Sequence, residues 1–222
     1  MEIRTAFHKK LREIQDDILA MGSMASKAIL RATGSLKDRD LVSAHQIIED
    51  DQKINNQRFK IEEKCIALIA TQQPMAGDLR IIVAILNIIT EIERIGDYAV
   101  GIARVTVLIG DEPPLKPLVD IPRMAEKTAD MLRRTLDAFI NRDAESARKI
   151  STEDDAVDVL YDQVFRELLT FMAEDPRTIT RATRLMWVAH NLERSADRVT
   201  NICERIVFIC TGKMEEIGAS RY

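Results

Sequence analysis

The chain is predicted to be all-α, two tandem, sequence-related three-helix bundles. The prediction rests on long stretches with apolar residues three and four apart, sparse breakers at regular intervals, and a second half that repeats the first. Ile47, Ile54, Ile61, Cys65 and Leu68 show the spacing, as do Val157, Leu160, Val164, Leu168 and Phe171. Such spacing lays one apolar stripe along a helix and predicts amphipathic helices that pack on each other. Eight Gly, six Pro and 5% aromatic residues are too few turn and strand formers for a β-sandwich or barrel.

The breakers bound the elements. Gly34-Ser35 closes a first helix over 3–33, and Pro74 separates a second over 37–72 from a third over 75–110. Asp111-Glu112-Pro113-Pro114, with Pro117, parts three helices from three and sets the expected domains at 1–112 and 113–222. Helices over 118–141, 143–173 and 177–212 follow, divided by Asn141-Arg142-Asp143 and by Asp175-Pro176. Up-and-down connections this short make each half a three-helix bundle with six long helices in all.

The repeat shows in polar as well as apolar positions. Shifted by 100 residues, Leu86 falls on Met186, Ile92 on Leu192 and Ile102 on Ile202, while Glu93-Arg94 falls on Glu193-Arg194 and Asp97 on Asp197. Shifted by 103, Arg39-Asp40 falls on Arg142-Asp143, Asp51 on Asp154 and Ile61 on Val164. Helical periodicity explains the apolar coincidences but does not demand the polar ones, so the halves are read as a duplication.

Composition narrows the function classes. At 222 residues the chain buries about 70% of its unfolded surface, enough for a core without disulfides or a structural metal. A net charge of −4 with both signs interspersed provides no field for nucleic acid. Cys65, Cys203 and Cys210 form no Cys-x-x-Cys pair and read as small apolar side chains in a reducing cytosol. The charged N-terminus has no apolar run of a signal peptide. The most apolar stretch, Ile81 to Thr90, is half of the about 20 residues a membrane span needs. Membrane contact is therefore expected only through partners.

Chemistry is carried by carboxylates. Glu93 and Asp97 stand four apart on one face of the third helix, and Glu193 and Asp197 repeat them on the sixth. Like charges at that spacing repel. Asp51 with Asn55 on the second helix, and Asp154 with Asp158 on the fifth, offer further oxygens opposite. All-oxygen sets suit hard cations such as Mg²⁺, Mn²⁺ or iron; the other reading is a solvated acidic face balanced by Arg94 and Arg194. His190, three residues before Glu193, has Thr90 as its counterpart and is expected to be a hydrogen-bonded structural histidine. Trp187, Met186 and the other methionines are expected to be packing residues. No phosphate-binding loop, nucleophile elbow or zinc-protease motif occurs, and no nucleophile–base pair stands out. The chain is accordingly read as no enzyme. The alternative is a carboxylate-bridged, metal-dependent helical-bundle enzyme, a hydrolase or oxidase, for which no general base is evident.

Gln72-Gln73-Pro74-Met75-Ala76-Gly77-Asp78-Leu79-Arg80, then Glu93-Arg94-Ile95-Gly96-Asp97-Tyr98-Ala99, resembles the first-half signature of the PhoU family. Leu192-Glu193-Arg194-Ser195-Ala196-Asp197-Arg198 through Glu204 resembles the second, and the likeness covers essentially the whole chain. The resemblance implies a cytoplasmic homodimer, peripheral to the inner membrane. It implies an adaptor between the ATPase subunit of a phosphate ABC transporter and a membrane sensor histidine kinase, repressing phosphate-scavenging genes and transport when phosphate is ample. It also implies metal ions, iron, manganese, magnesium or zinc, at Glu93, Asp97, Glu193 and Asp197, with Asp51, Asp154 and Asp158 opposite. Asn55 departs from the acidic pattern, and the resemblance gives Asp78, Leu79 and Arg80 no assigned role.

Overall fold

The computed structural model describes residues 2–217. The predicted architecture is present: among the described residues the elements are helices alone, in two sequence-related bundles. The elements are α1 (Glu2–Asp38), α2 (Leu41–Gln72), α3 (Gly77–Ile109), α4 (Asp120–Asn141), α5 (Ala144–Ser151), α6 (Asp155–Glu174) and α7 (Ile179–Thr211), with a 3₁₀ turn at Pro176–Thr178. The first bundle is α1, α2 and α3; in the second, α5 and α6 together occupy the place of α2.

Two expectations about the helices need correction. The first helix does not stop at Gly34 but runs on to Asp38. Thr33, Ser35 and Leu36 are buried there, and Ser35 Oγ donates to the Ala32 carbonyl at 2.8 Å. Packing of that last turn outweighs the roughly 1 kcal/mol that one helical glycine costs. The predicted helix 143–173 is interrupted at 152–154. Ser151 Oγ and Thr152 Oγ1 donate back to the carbonyls of Arg148 and Lys149, and the Glu153 amide reaches only as far as Ile150. Side chains that compete for the backbone in this way, followed by three consecutive acids, tighten the helix into a turn.

The repeated Arg-Asp dipeptide has a structural reason. Arg39 and Arg142 both take left-handed backbone, with φ of 57° and 53°, and end the helix before them. Asp40 then caps α2 by accepting from the Ser43 amide at 2.9 Å, and Asp143 caps α5 from the Glu145 and Ser146 amides at 3.1 and 3.0 Å.

Packing goes beyond two separate bundles. α1, α3, α7 and α4 close a ring in which each helix packs on the next, while α2 flanks α1 and α3, and α6 flanks α4 and α7. The flanking helices bury narrow stripes at seven-residue steps: Ile47, Ile54, Ile61 and Leu68 on α2, Val157 and Val164 on α6. α3 is buried along most of its length, from Ile81 to Thr106. One apolar cluster runs through both halves.

α3 and α7 run antiparallel in constant register. Arg80 approaches Gly212, Glu91 accepts from Asn201 at 3.1 Å, and Gly101 lies against Asn191. The same register brings Gly96 opposite its repeat-equivalent Ala196, so a pseudo-twofold axis crosses the middle of the pair. The connection between halves is strapped down: the buried Lys116 pairs with the exposed Glu167 of α6, and Arg181 of α7 donates to the Pro113 carbonyl at 3.1 Å.

Candidate functional site

The carboxylates singled out in the sequence gather on either side of that axis. In the first half, α3 presents Glu93 and Asp97 toward Asp51 of α2. Gly96 permits the approach: a Cβ there would stand 3.0 Å from Ile54 Cδ1 and 3.5 Å from Asp51 Oδ1. Asn55 donates its amide to Asp51 Oδ2 at 2.9 Å, and Arg58 Nε lies 3.9 Å from Glu93. Asp97 is exposed.

The second cluster is deeper. Glu193 of α7 is only 6% exposed, and the Asp197 side chain 13%. Asp154, in the turn before α6, and Asp158, on its first turn, face them closely enough to repel. Arg194 Nη1 reaches Asp197 at 2.5 Å.

Electrostatics follow from this placement. Burial, and then the neighbouring Asp158, Asp197 and Glu193 carboxylates, push Asp154 up to about 7. Burial and then Asp197 push Glu193 up to about 7 against the pull of Arg194. Asp51 and Glu93 move in the same direction, through burial first and Asp97 second. Among the described residues three buried carboxylate oxygens lack a hydrogen-bond partner: Asp51 Oδ1, Asp154 Oδ1 and Glu193 Oε2. Orphaned anionic oxygens are costly, and their chemistry fits a hard cation. Among the described residues, however, no three acids, histidines or cysteines are already drawn together as a ligand set. A cation would compete with Arg194 for Asp197.

Two smaller expectations fail. His190 is exposed and its Nδ1 stands 3.6 Å from Glu193 Oε2, beyond hydrogen-bond reach; its ring tilts against Tyr161 at 6.4 Å instead. Trp187 is 54% exposed rather than packed, although Met186 does pack on the core.

Sequence reasoning missed the cations that hold each cluster's outer acids. Arg31 of α1 grips Asp50 at 2.9 Å, and Arg134 of α4 grips Glu153 through two contacts of 2.7 Å. Both pairs obey the 103-residue shift, a signal that could have found them. Arg80 has a place if no chemistry: its guanidinium lies 5.7 Å from the Phe208 ring centroid, against the end of α7.

Comparison with known proteins agrees with the duplicated layout. The family model for the PhoU domain matches twice, over residues 18–106 and 121–206. The phosphate-specific transport system accessory protein PhoU homolog of Clostridium acetobutylicum is 38% identical over 216 residues, 97% of this chain and 99% of that protein. Its counterpart in Aquifex aeolicus is 39% identical over 206 residues, 93% of each. The crystal structure of PhoU from Pseudomonas aeruginosa superposes with a TM-score of 0.88 at 34% identity, covering 93% of this chain and all of that one.

Proposed function

Because the chain belongs to the PhoU family, we propose that it is an accessory protein of phosphate transport, coupling the ATPase subunit of a phosphate ABC transporter to a membrane sensor histidine kinase. The family is one of accessory and regulatory proteins and not of enzymes, so the hydrolase or oxidase alternative falls away. In this reading the chain restrains phosphate uptake and scavenging genes when phosphate is ample. It works as a cytoplasmic homodimer, with residues 1–112 and 113–222 as its two domains. The observation that carries the reading is the near-complete match, in both halves, to PhoU accessory proteins. Among the described residues no helix is long and apolar enough to cross a membrane. Contact with the inner membrane is assigned to the partners. Exposed Phe59 and Ile66 on α2, Phe165 and Leu169 on α6 and Trp187 on α7 supply apolar surface suited to protein partners.

The acidic clusters enter as cation sites, with Asp51, Glu93 and Asp97 in one and Asp154, Asp158, Glu193 and Asp197 in the other. A bound iron, manganese, magnesium or zinc ion would neutralise the mutual repulsion and tie each flanking helix to α3 or α7. Partner preference then shifts only by the difference in affinity between transporter states.

One experiment addresses both parts. Untagged protein and a Glu93→Ala, Asp97→Ala, Glu193→Ala, Asp197→Ala variant are compared by elemental analysis and by capture of the transporter's ATPase subunit from solubilised membranes. The parent should carry near-stoichiometric metal that the variant lacks, and should retain the ATPase. A parent that captures no ATPase in membranes or in solution sinks the adaptor reading. Metal absent from both proteins, with Mg²⁺ supplied in a parallel sample, makes the acids a partner-facing surface instead.

A further inference from the structure

Each cluster contains an acid whose chain neighbour turns the other way. Asp50 precedes Asp51 and accepts from Arg31 of α1 at 2.9 Å, Lys53 at 2.7 Å and Gln46 at 3.2 Å. Glu153 precedes Asp154 and accepts both Nη groups of Arg134 at 2.7 Å and Lys127 Nζ at 3.0 Å. Arg134 Nε is itself fixed by Asp130 at 2.7 Å. Arg31 maps onto Arg134 and Asp50 onto Glu153 by the same 103-residue shift that maps Asp51 onto Asp154. The arginine clamp is therefore part of the repeat, and helical periodicity does not require it.

The two clamps act on different backbones. α2 runs unbroken through Asp51, so its own hydrogen bonds set where that carboxylate leaves the helix. Asp154 lies in the interruption, where its amide is a long 3.4 Å from the Ser151 carbonyl. Backbone bonds still cross the turn, from the Glu153 amide to Ile150 at 3.0 Å and from the Val157 amide to Asp154 at 2.7 Å, but the Asp154 amide is its loosest one. The forked, charge-assisted grip on Glu153, one residue away, is the strongest fixed point available.

The geometry points to Arg134, assisted by Lys127, as the positioning residue of the second acidic cluster: it holds Glu153, and with it the turn that aims Asp154 at Glu193 and Asp197. Arg31 performs the weaker counterpart for Asp51. The second cluster is thus the more firmly restrained one and takes up a cation first. This consequence rests on the cation-binding reading above, whereas the clamp itself does not. Groups that orient metal ligands from behind typically contribute about 10–100-fold in affinity.

The test uses full-length protein stripped with EDTA and titrated with Mn²⁺ by calorimetry. A Glu93→Ala, Asp97→Ala background isolates the second site, and a Glu193→Ala, Asp197→Ala background isolates the first. Arg134→Ala should weaken the second site by about 10–100-fold and leave the first unchanged. Arg134→Lys, which keeps the charge and loses the fork, should fall between, and Arg31→Ala should act on the first site only. A merely structural loss would weaken both sites together. Parent-like affinity at the second site in folded Arg134→Ala overturns the proposal. A parent that takes up no Mn²⁺ removes the cation reading, and hydrogen exchange in EDTA then judges the clamp. Protection lost at 150–158 and kept at 47–55 in Arg134→Ala sustains it; unchanged protection at 150–158 overturns it.

Discussion

Asp154 and Glu193 bind a proton more tightly in the folded chain than in the unfolded one, and this fixes the sign of their contribution to stability. With folded values about 7, each holds a proton between roughly pH 4.5 and 7 that the unfolded chain has released. Without metal, their contribution therefore falls as pH rises through that window and levels off above it. Solvent screening and proton sharing within the pair reduce the effect to about 1–3 kcal/mol between pH 5 and 8. His190, whose value is lowered by partial desolvation of its ring and then by Arg194, works in the opposite direction, so the comparison of parent with variant is the informative one. In EDTA, Glu193→Gln should be more stable than the parent at pH 8 by roughly that amount and nearly equal at pH 5, read by urea unfolding. An equal gap at both pH values would contradict this. The acids were legible in the sequence because they recur with the repeat at four-residue spacing. The arginines of α1 and α4 that hold the neighbouring Asp50 and Glu153 leave no period in either helix, and only the 103-residue shift marks them.

The approach of α2 to α3 at Gly96 is the contact on which the first cluster depends. A methyl group there crowds only the movable tip of Ile54, at 3.0 Å, and meets Asp51 Oδ1 and Ile54 Cγ2 at ordinary contact distance, 3.5 Å each, so Gly96→Ala is expected to be mild. Gly96→Leu must pry α2 from α3 beside Asp51, costing about 1–3 kcal/mol in denaturant unfolding. A leucine variant as stable as the parent would show that α2 has room to move. The end of α2 and the spans of α3 and α4 were readable from period and proline alone, since Pro74 and the 113–117 stretch stop helices whatever their surroundings, whereas the start of α2 was placed at 37 and lies at Leu41. The run of α1 past Gly34 was not, because packing of Leu36 overrides a weak local preference. The interruption at 152–154 carries an intact apolar pattern on both sides, in Ile150 and Val157, and so is invisible to periodicity.

For the whole molecule, the ring of α1, α3, α7 and α4 means that neither half covers its own apolar surface. The duplication revealed two halves and the proline stretch revealed the boundary between them. The seam was hidden, because α3 is apolar on more than one side and its sequence does not say which helix each side meets. Residues 1–112 produced alone should not persist as a monomer: light scattering should show a dimer or larger species, and a stable monomer would refute the shared core. The antiparallel register of α3 and α7, with Gly96 facing Ala196, has the symmetry of two identical subunits docked face to face. The chain has the form of a fused dimer, joined by the strapped segment around Lys116. In a true homodimer every substitution is made twice, and the two sites must stay alike. Fusion lifts that constraint, which is how Asn55 stands in one cluster while its repeat-equivalent in the other is the acid Asp158.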